Sequence, residues 1–399
     1  MTEDRKAVLV LKDGTYFEGL GIGATTKVEG EIVFNSTMVG YSGIMTDPTY
    51  YGQILLMTYP LIGNIGVADP GVRDKWNIPQ YFESDYEIYA PDQQPEPYDK
   101  HPNPKLIKNK GLIVSELCKQ PSHWKTKMTL DLLLKNESVP GIEGIDTREL
   151  MKKLRDDGEM VGILQVFEDN QEPDIEKLRK EVTKAQNLNE TNLVKEVSVT
   201  KPIVYEQKNN APKIALIDLG TKMNIIRSLL NRNVTVLRVP FDFSIDQILD
   251  YKPDGVVISN GPGDPHHAGL KNTIETIQAI VAKDIPLLGI CFGNQVFSLA
   301  MGAELYRMKC GHRSPNQTAM DLETKHCYAT IQNHGYAIKK DSLDKTDLQL
   351  WFQNVNDNTF EGVKHKTARA VSVEFHPELQ PAPIDAKFVY DQFVNLLKS

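Results

Sequence analysis

The sequence has little cysteine and no long apolar segment. Only four cysteines occur among 399 residues, and no two of them form a C-x-x-C pair. This scarcity excludes a disulfide framework and the common zinc-ligand spacings, and it favours a reducing compartment. No apolar run approaches the roughly 18 residues that a bilayer-spanning helix needs, and the first residues resemble neither a secretory nor a transit peptide. We therefore expect a cytoplasmic protein with no metal site and no membrane contact.

A strongly basic segment is also missing. The formal net charge is −8, which disfavours direct nucleic-acid binding. With 40% apolar and 25% charged residues, the composition is that of an ordinary globular protein with enough apolar residues for a core. A chain of this length predicts two or three domains.

The N-terminal part has the pattern of a β-rich domain. KAVLVLKDGTYFEGLGIG predicts two strands around an Asp13-Gly14 turn, and EGEIVFNST and GQILLMTYP predict further strands. Prolines crowd residues 84–110, which indicates an exposed loop insertion. A helix is predicted to begin after Asp146, with Glu149 in the capping-box position, and to end at Gly158. We assign residues 1–170 to this domain and the polar residues 171–212 to a linker.

From residue 213 onward, strand-like and helix-like segments alternate, which indicates a parallel sheet covered on both faces. We therefore predict an α/β protein, in which the β-rich mixed N-terminal domain is followed by a mostly parallel, doubly wound domain over residues 213–399. Such sheets place their sites at the carboxyl ends of the strands. Cys291 and the GPGDP loop at 261–265 both fall there.

Cys291 lies where a predicted strand turns into a helix, in the stretch Gly289-Ile290-Cys291-Phe292-Gly293. This is the pattern of a nucleophile elbow with sulfur in place of a serine hydroxyl. The glycines permit the tight turn, and the helix N-terminus favours the thiolate. A buried cysteine serving as a small core residue is the alternative interpretation of this stretch.

A thiolate nucleophile needs a base and a group that orients the base. Near the C-terminus, a β-like run ends in His376-Pro377-Glu378, which supplies an imidazole and a carboxylate. Taken alone, His-Pro-Glu indicates only a turn. Together with the elbow and a Gly-Pro-Gly loop that offers backbone N–H groups to an oxyanion, it predicts a Cys-His-Glu triad.

The motifs ISNGPGDP, GICFGNQ, QNHGYAI and FHPE, in that order, resemble those of the class I glutamine amidotransferase family. In the N-terminal part, GEIVFNSTMVGYSGIMTDPTYYGQILLMTYPLIGNIGV, PSHW and GIDTRELMKKLR resemble the small, glutaminase part of glutamine-dependent carbamoyl-phosphate synthetase. The resemblance covers nearly the whole chain apart from the proline-rich insertion and the linker.

This resemblance implies that Cys291 attacks the side-chain amide of L-glutamine and forms a γ-glutamyl thioester. His376 then moves the protons, Glu378 orients His376, and water releases glutamate. The positions implied to bind glutamine or its oxyanion are Thr49, Gly261, Gly263, Phe292, Gln295, Asn333, Gly335 and Tyr336.

The resemblance also implies partners. The chain has no convincing ATP site and no cofactor of its own, so ATP and Mg²⁺ are expected in a synthetase large subunit or fused synthetase region that receives the ammonia through an internal tunnel. The sequence leaves open whether the product serves pyrimidine or arginine biosynthesis, and whether the chain is a separate subunit.

The chain departs from the family pattern at several positions: Asn294 replaces histidine, Phe292 replaces leucine, Thr49 replaces serine, and RMKCGHRSPNQTA and HPELQPAPID have less glycine than usual. Because of Asn294, a catalytically idle scaffold subunit is one alternative function. A γ-glutamyl hydrolase is another, because it would use the same Cys-His chemistry. We nevertheless predict an active glutaminase.

Three further motifs are expected to be structural. GLGIGATTK predicts a turn between strands, because its glycines do not fit a nucleotide-binding loop. His266-His267 predicts a solvated loop pair. His312 and His334 are expected to make structural hydrogen bonds.

Overall fold

A computed structural model of the chain describes residues 5–85, 105–185, 190–207, 210–378 and 385–398. Most of the predicted proline-rich insertion at 84–110 lies outside the described residues, as does part of the predicted linker. The chain forms two compact units, of which the first contains Met1–Ser84 and Lys105–Thr191 and the second contains Asn192–Ser399.

The first unit is built around a closed barrel of seven strands in the order β1-β2-β8-β6-β4-β3-β9. Their bounds are β1 (Lys6–Leu11), β2 (Tyr16–Gly23), β3 (Lys27–Asn35), β4 (Ile54–Met57), β6 (Gly111–Ile113), β8 (Pro140–Glu143) and β9 (Met160–Val166), with a separate pair β5 (Leu61–Ile62) and β7 (Glu116–Leu117). The predicted hairpin is confirmed, since β1 pairs antiparallel with β2 across the turn at Gly14. GLGIGATTK joins β2 to β3 as predicted, but residues 19–23 belong to β2 and only residues 24–26 form the connection.

Among the described residues of the first unit, four α-helices accompany the barrel: α1 (Tyr41–Thr46), α2 (Leu130–Asn136), α3 (Thr147–Asp157) and α4 (Ile175–Val182). The predicted helix after Asp146 is α3. The Asp146 carboxylate accepts the backbone N–H of Glu149 at 2.8 Å, and the helix ends at Gly158 with a φ of 95°. The cap satisfies one of the N–H groups that lack a partner in the first turn.

The second unit contains a ten-stranded sheet in the order β10-β12-β11-β13-β14-β19-β18-β17-β15-β16. Its strands are β10 (Ile203–Tyr205), β11 (Lys213–Asp218), β12 (Thr235–Pro240), β13 (Gly255–Ile258), β14 (Leu287–Ile290), β15 (Leu305–Asp321), β16 (Cys327–Ile338), β17 (Leu348–Asn354), β18 (Phe360–His365) and β19 (Ala370–Val373). The neighbours β12-β11-β13-β14-β19 are parallel, which confirms the predicted parallel core. The remaining pairings are antiparallel.

Helices of the second unit are α5 (Met223–Leu230), α6 (Ile245–Leu249), α7 (Lys271–Ala282), α8 (Phe292–Ala300) and α9 (Phe388–Leu396). Every residue of β13 and β14 is buried, as expected for parallel strands that are covered on both faces. Ile258 of β13 lies in one core cluster with Ile277 of α7 and Val296 and Phe297 of α8. Burying each such side chain contributes about 1.5–3 kcal/mol, and this packing fixes the strand ends that carry the site.

In the described ranges, every helix is too short or too polar to cross a bilayer.

Candidate active site

Cys291 occupies a sharp turn between β14 and α8. Its φ of 53° and ψ of −110° are unusual for a residue with a side chain, as expected at a nucleophile elbow. The two flanking glycines allow this geometry. A methyl group on Gly293 would collide with the carbonyl oxygen of Ile258, and one on Gly289 would lie 2.8 Å from the carbonyl oxygen of Gly293. Any larger side chain at these positions would push α8 away from the sheet.

The parallel pairing of β14 with β19 brings the thiol and the imidazole to the same edge of the sheet. Ile290 is paired with Val373, and the backbone N–H of Cys291 donates to the carbonyl oxygen of Val373 at 2.8 Å. His376 follows three residues after Val373, beyond the carboxyl end of the neighbouring strand.

Both residues also contact one short segment of β16. The backbone N–H of His376 donates to the carbonyl oxygen of Ile331 at 2.9 Å, and the Cys291 thiol lies 3.7 Å from the carbonyl oxygen of Asn333. Carbonyl groups two residues apart on a strand point to the same side. Cys291 and His376 therefore lie next to each other along β16.

The imidazole of His376 is held by Glu378. Its Nδ1 lies 2.6 Å from Oε1 of Glu378, and the Nζ of Lys222 lies 3.2 Å from the same oxygen. The Tyr390 hydroxyl donates to Oε2 of Glu378 at 3.4 Å. Burial alone would raise the pKa of Glu378, but the charges of His376 and Lys222 outweigh burial and lower that pKa to about 2. Glu378 is therefore ionised at neutral pH, where it binds Nδ1–H and leaves Nε2 to exchange protons.

Two polar atoms near the thiol are buried without a hydrogen-bond partner among the described residues: Nε2 of His376 and Nδ2 of Asn333. Nε2 is the nitrogen that a triad base uses to take the proton from its nucleophile. Nδ2 of Asn333 is an amide donor of the kind that binds a carbonyl or carboxylate oxygen.

Gly261 and Phe292, which are predicted to stabilise an oxyanion, and Gly263, which is predicted to bind glutamine, follow the ends of two strands. Gly261 and Gly263 follow β13, and a side chain on Gly261 would collide with the carbonyl oxygen of Leu219, while Gly263 has a φ of 97°. Phe292 is the first residue of α8, where backbone N–H groups have no acceptor within the helix. Both loops can offer N–H groups to negative charge.

Gln295 and Asn294 share one buried carboxyl group. The Gln295 amide donates to Oε1 of Glu374 at 2.6 Å and the Asn294 amide donates to Oε2 at 2.6 Å, while Oδ1 of Asn294 accepts the Ser372 hydroxyl at 2.7 Å. Burial and then the charge of Glu361 raise the pKa of Glu374 well above its ordinary value, against the effect of the two amides. Asn294, the departure from the family histidine, thus forms part of a network that holds the start of α8 to the segment after β19.

The remaining predicted residues divide between the two units. Gly335 and Tyr336 lie on β16 just beyond Asn333. Thr49 belongs to the first unit, where it lies in a 3₁₀ turn and its N–H donates to the Asp47 carboxylate at 2.9 Å. Its predicted contact with glutamine stays a prediction.

Three residues around the triad were not foreseen from the sequence: Lys222, Glu374 and Tyr390. Lys222 follows β11 and therefore reaches the same carboxyl edge as Cys291. The sequence feature that could have indicated this role is the position of Lys222 in TKMN, directly after an apolar strand. Of the histidines 266 and 267, which were predicted to lie in a solvated loop, His266 is exposed, and its ring lies 2.9 Å from the Asp264 carboxylate.

Comparison with known proteins agrees with this geometry. The family described as carbamoyl-phosphate synthase small chain, CPSase domain, matches residues 9–164, and glutamine amidotransferase class-I matches residues 215–396. A carbamoyl phosphate synthase small chain of Methanocaldococcus jannaschii is 42% identical over 98% of this chain and 99% of its own length. One from Pyrococcus furiosus is 40% identical over 99% of this chain and 98% of its own length.

A third relative is named more narrowly. The carbamoyl phosphate synthase pyrimidine-specific small chain of Bacillus subtilis is 39% identical over 99% of this chain and 96% of its own length. The chain therefore belongs to the carbamoyl-phosphate synthase small chain family and carries the class I glutamine amidotransferase domain of that family.

Proposed function

We propose that this chain is the glutaminase component of a glutamine-dependent carbamoyl-phosphate synthase. It hydrolyses L-glutamine to glutamate and ammonia, and the ammonia is used by an ATP-dependent synthetase subunit or region to make carbamoyl phosphate from bicarbonate. The observation that carries the proposal is the arrangement of Cys291, His376 and Glu378 on the neighbouring strand ends of β14 and β19.

The reaction begins with proton transfer from the Cys291 thiol to Nε2 of His376. The thiolate then attacks the amide carbon of glutamine, and the carbonyl oxygen becomes an oxyanion that accepts the N–H groups of Gly261 and Phe292. As the intermediate collapses, the imidazolium returns its proton to the amide nitrogen, the C–N bond breaks, and ammonia leaves. A γ-glutamyl thioester remains on Cys291.

Hydrolysis of the thioester repeats the same proton transfers with water. Nε2 of His376 takes a proton from water, the resulting hydroxide attacks the thioester carbon, and the C–S bond breaks. The proton returns to sulfur, which restores the thiol and releases glutamate. Glu378 keeps Nδ1–H as the donor throughout and stabilises the imidazolium in both halves of the reaction.

The glutaminase half-reaction needs no cofactor, because sulfur, imidazole and backbone N–H groups supply all of its steps. Carbamoyl phosphate synthesis needs ATP, which we assign, with Mg²⁺, to the large synthetase partner. We also propose a cytoplasmic location, which is supported by four cysteines that form no disulfide.

The test is glutamate release from glutamine by the chain alone and with its synthetase partner, bicarbonate and ATP. We expect the partner to stimulate release, and Cys291→Ala to abolish it, a loss of at least about 10³-fold. Cys327→Ser, at an exposed cysteine, is the matched control and should keep wild-type activity. Absence of turnover with and without the partner would overturn the proposal and leave a scaffold.

A second substrate separates the hydrolase alternative. The same assay with a γ-glutamyl peptide should show far slower turnover than with glutamine. Equal or faster cleavage of the peptide would identify a γ-glutamyl hydrolase instead.

A further inference from the structure

Two histidines and a glutamate meet on the antiparallel side of the second unit's sheet. His312 of β15 and His334 of β16 are direct partners in the strand register, and Glu361 of β18 reaches both. One possible ligand atom from each of the three residues lies within 4.8 Å of the others. None of these atoms belongs to the Cys-His-Glu triad.

The hydrogen bonds of His334 fix its tautomer. Nδ1 lies 2.8 Å from the carbonyl oxygen of Tyr336, which can only accept, so Nδ1 carries the proton. In the tautomer that is protonated on Nδ1, Nε2 carries a lone pair and can act as a metal ligand. That lone pair faces two oxygens, Oε1 of Gln332 at 3.2 Å and Oε2 of Glu361 at 3.8 Å.

The orientation of the Gln332 amide is itself supported by a chain of hydrogen bonds. Its Nε2 donates to the Thr330 hydroxyl at 3.2 Å, and that hydroxyl donates to the Gln317 carbonyl oxygen at 2.8 Å. The amide oxygen of Gln332 therefore faces His334, where it offers no proton.

The ring of His312 is oriented by the carboxylate of Asp357. Nε2 lies 2.9 Å from Oδ2 of Asp357 and donates to it. Nδ1 is buried without a hydrogen bond among the described residues, and it lies 3.3 Å from Oε1 of Glu361.

Glu361 completes the cluster as a fully buried side chain. Its Oε1 accepts the Thr359 hydroxyl at 2.8 Å and the Asn354 amide at 3.2 Å. Its Oε2 has no hydrogen-bond donor in the described part of the chain.

We propose that His312, His334 and Glu361 form a structural binding site for a divalent transition-metal ion of the Zn²⁺ type. Two imidazole nitrogens and a carboxylate are a known set of three zinc ligands, with water in the fourth position. Zinc bonds of about 2.0–2.1 Å place neighbouring tetrahedral ligands roughly 3.3 Å apart, close to the 3.3 and 3.8 Å that separate the carboxylate oxygens from the two imidazoles.

The outer contacts match those of metal-bound histidines. Such rings donate their other N–H to a carboxylate or a backbone carbonyl, as His312 does to Asp357 and His334 does to Tyr336. Arg313, the residue after His312 in β15, brings one positive charge, and the Glu361 and Asp357 carboxylates beside His312 bring two negative charges.

A protonated His312 between Asp357 and Glu361 is the competing explanation. It accounts for the contacts of His312, but it leaves the lone pair of His334 Nε2 facing two oxygens. A cation placed between the three ligand atoms accounts for both rings. Bound metal would fasten β16, which carries Asn333 and Tyr336, to β15 and β18.

The experiment titrates the full chain, carrying Cys291→Ser to remove the reactive sulfur, with Co²⁺ after treatment with a chelator. We expect one equivalent to bind, with visible d–d absorption and no sulfur-to-cobalt charge-transfer band. Zn²⁺ should displace it and restore the thermal midpoint that chelation lowers.

Glu361→Gln and His312→Gln should each weaken Co²⁺ binding by at least about tenfold, the lower end of what even outer-shell partners contribute. Asp357→Asn, at a partly exposed side chain, should weaken binding as well and carries the test if the buried variants do not fold. His326→Asn, at an exposed histidine, is the matched control.

Folded protein that binds no stoichiometric Co²⁺, or binding that all three variants retain, would overturn the metal site. Imidazole NMR that shows both nitrogens of His312 protonated at neutral pH in the presence of Zn²⁺ would favour the ion pair instead. The binding measurement requires no glutamine turnover, so its outcome is independent of the proposed activity.

Discussion

The ammonium group of Lys222 lies 3.2 Å from the Glu378 oxygen that also holds Nδ1 of His376. Lys222 and Glu378 are both buried, so solvent screens their charges little. Lys222 thus keeps the carboxylate ionised and in place, and it acts on the reaction through Glu378 as a positioning residue.

Lys222→Met should shift the pH dependence of glutamine hydrolysis. The pKa of Glu378 is about 2 against an ordinary 4.5, so its ionised form contributes stability that is complete above about pH 4.5 and is lost as the pH falls toward 2. Without Lys222, burial is opposed mainly by His376, and the pKa of Glu378 rises. The acid limb of kcat/KM should then move to higher pH, as measured by glutamate release between pH 4.5 and 8.

Lys222→Arg is the control, because it keeps the positive charge and should keep the acid limb closer to that of wild type. If Lys222→Met lowers the rate equally at every pH, Lys222 has only a structural role and the electrostatic explanation is wrong.

Glu374→Ala should destabilise the fold and raise KM for glutamine. The substitution leaves the amides of Asn294 and Gln295 buried without their acceptor, at about 1–3 kcal/mol for each. A Gln295 released from Glu374 also loses its fixed orientation. Urea unfolding and steady-state kinetics measure the two effects.

Glu374→Gln keeps the volume and one carbonyl acceptor, so it should fall between wild type and Glu374→Ala in both measurements. A Glu374→Ala protein with unchanged KM would show that Gln295 does not bind the substrate.

Gly293→Ala should lower kcat by at least about 100-fold, because a methyl group there collides with the carbonyl oxygen of Ile258 and displaces the start of α8. Gly43→Ala is a matched control: it lies within α1, and its added methyl would meet nothing closer than 3.9 Å. The control should keep full activity. Equal activity of the two variants would mean that the elbow tolerates displacement.

Asn294→His, which restores the family's usual residue, should not increase activity. The wholly buried Asn294 fills its space between Glu374 and Ser372, and a larger ring there should cost about 1–3 kcal/mol of stability. Asn231→His, at an exposed position after α5, controls for the added histidine. A more active and equally stable Asn294→His protein would contradict the role assigned to this network.

The measurements are glutamine turnover and thermal denaturation, made on the Asn294→His and Asn231→His proteins side by side. Robust turnover by the wild-type chain would also remove the idle-scaffold alternative that Asn294 had kept open.

The elbow at Cys291 could be predicted because strand, turn and helix are adjacent in sequence, and their residue types report local geometry. Lys222 could not be assigned to Glu378 in this way, because the two meet only through the order of strands in the sheet. The contacts of Glu374 with Asn294 and Gln295 could not be predicted for the same reason.

The antiparallel part of the sheet could not be predicted from the sequence either. Residues 305–321 contain Pro315 and many polar side chains, yet they form β15. Shifts in the register between Arg307 and His312 and between Ser314 and Gln317 accommodate the irregular sequence. Such bulges depend on the partner strand, so a single strand's own pattern does not predict them. Glu361 reaches His312 and His334 through the same non-local pairing.

The pairing of β14 with β19 has a consequence for synthesis of the protein. Cys291 is translated long before His376 and Glu378, and the strand that positions them must be inserted between β14 and β18. A nascent chain that already displays its thiol therefore lacks both the base and the carboxylate. The nascent chain therefore cannot hydrolyse glutamine until translation has passed Glu378 and β19 has entered the sheet.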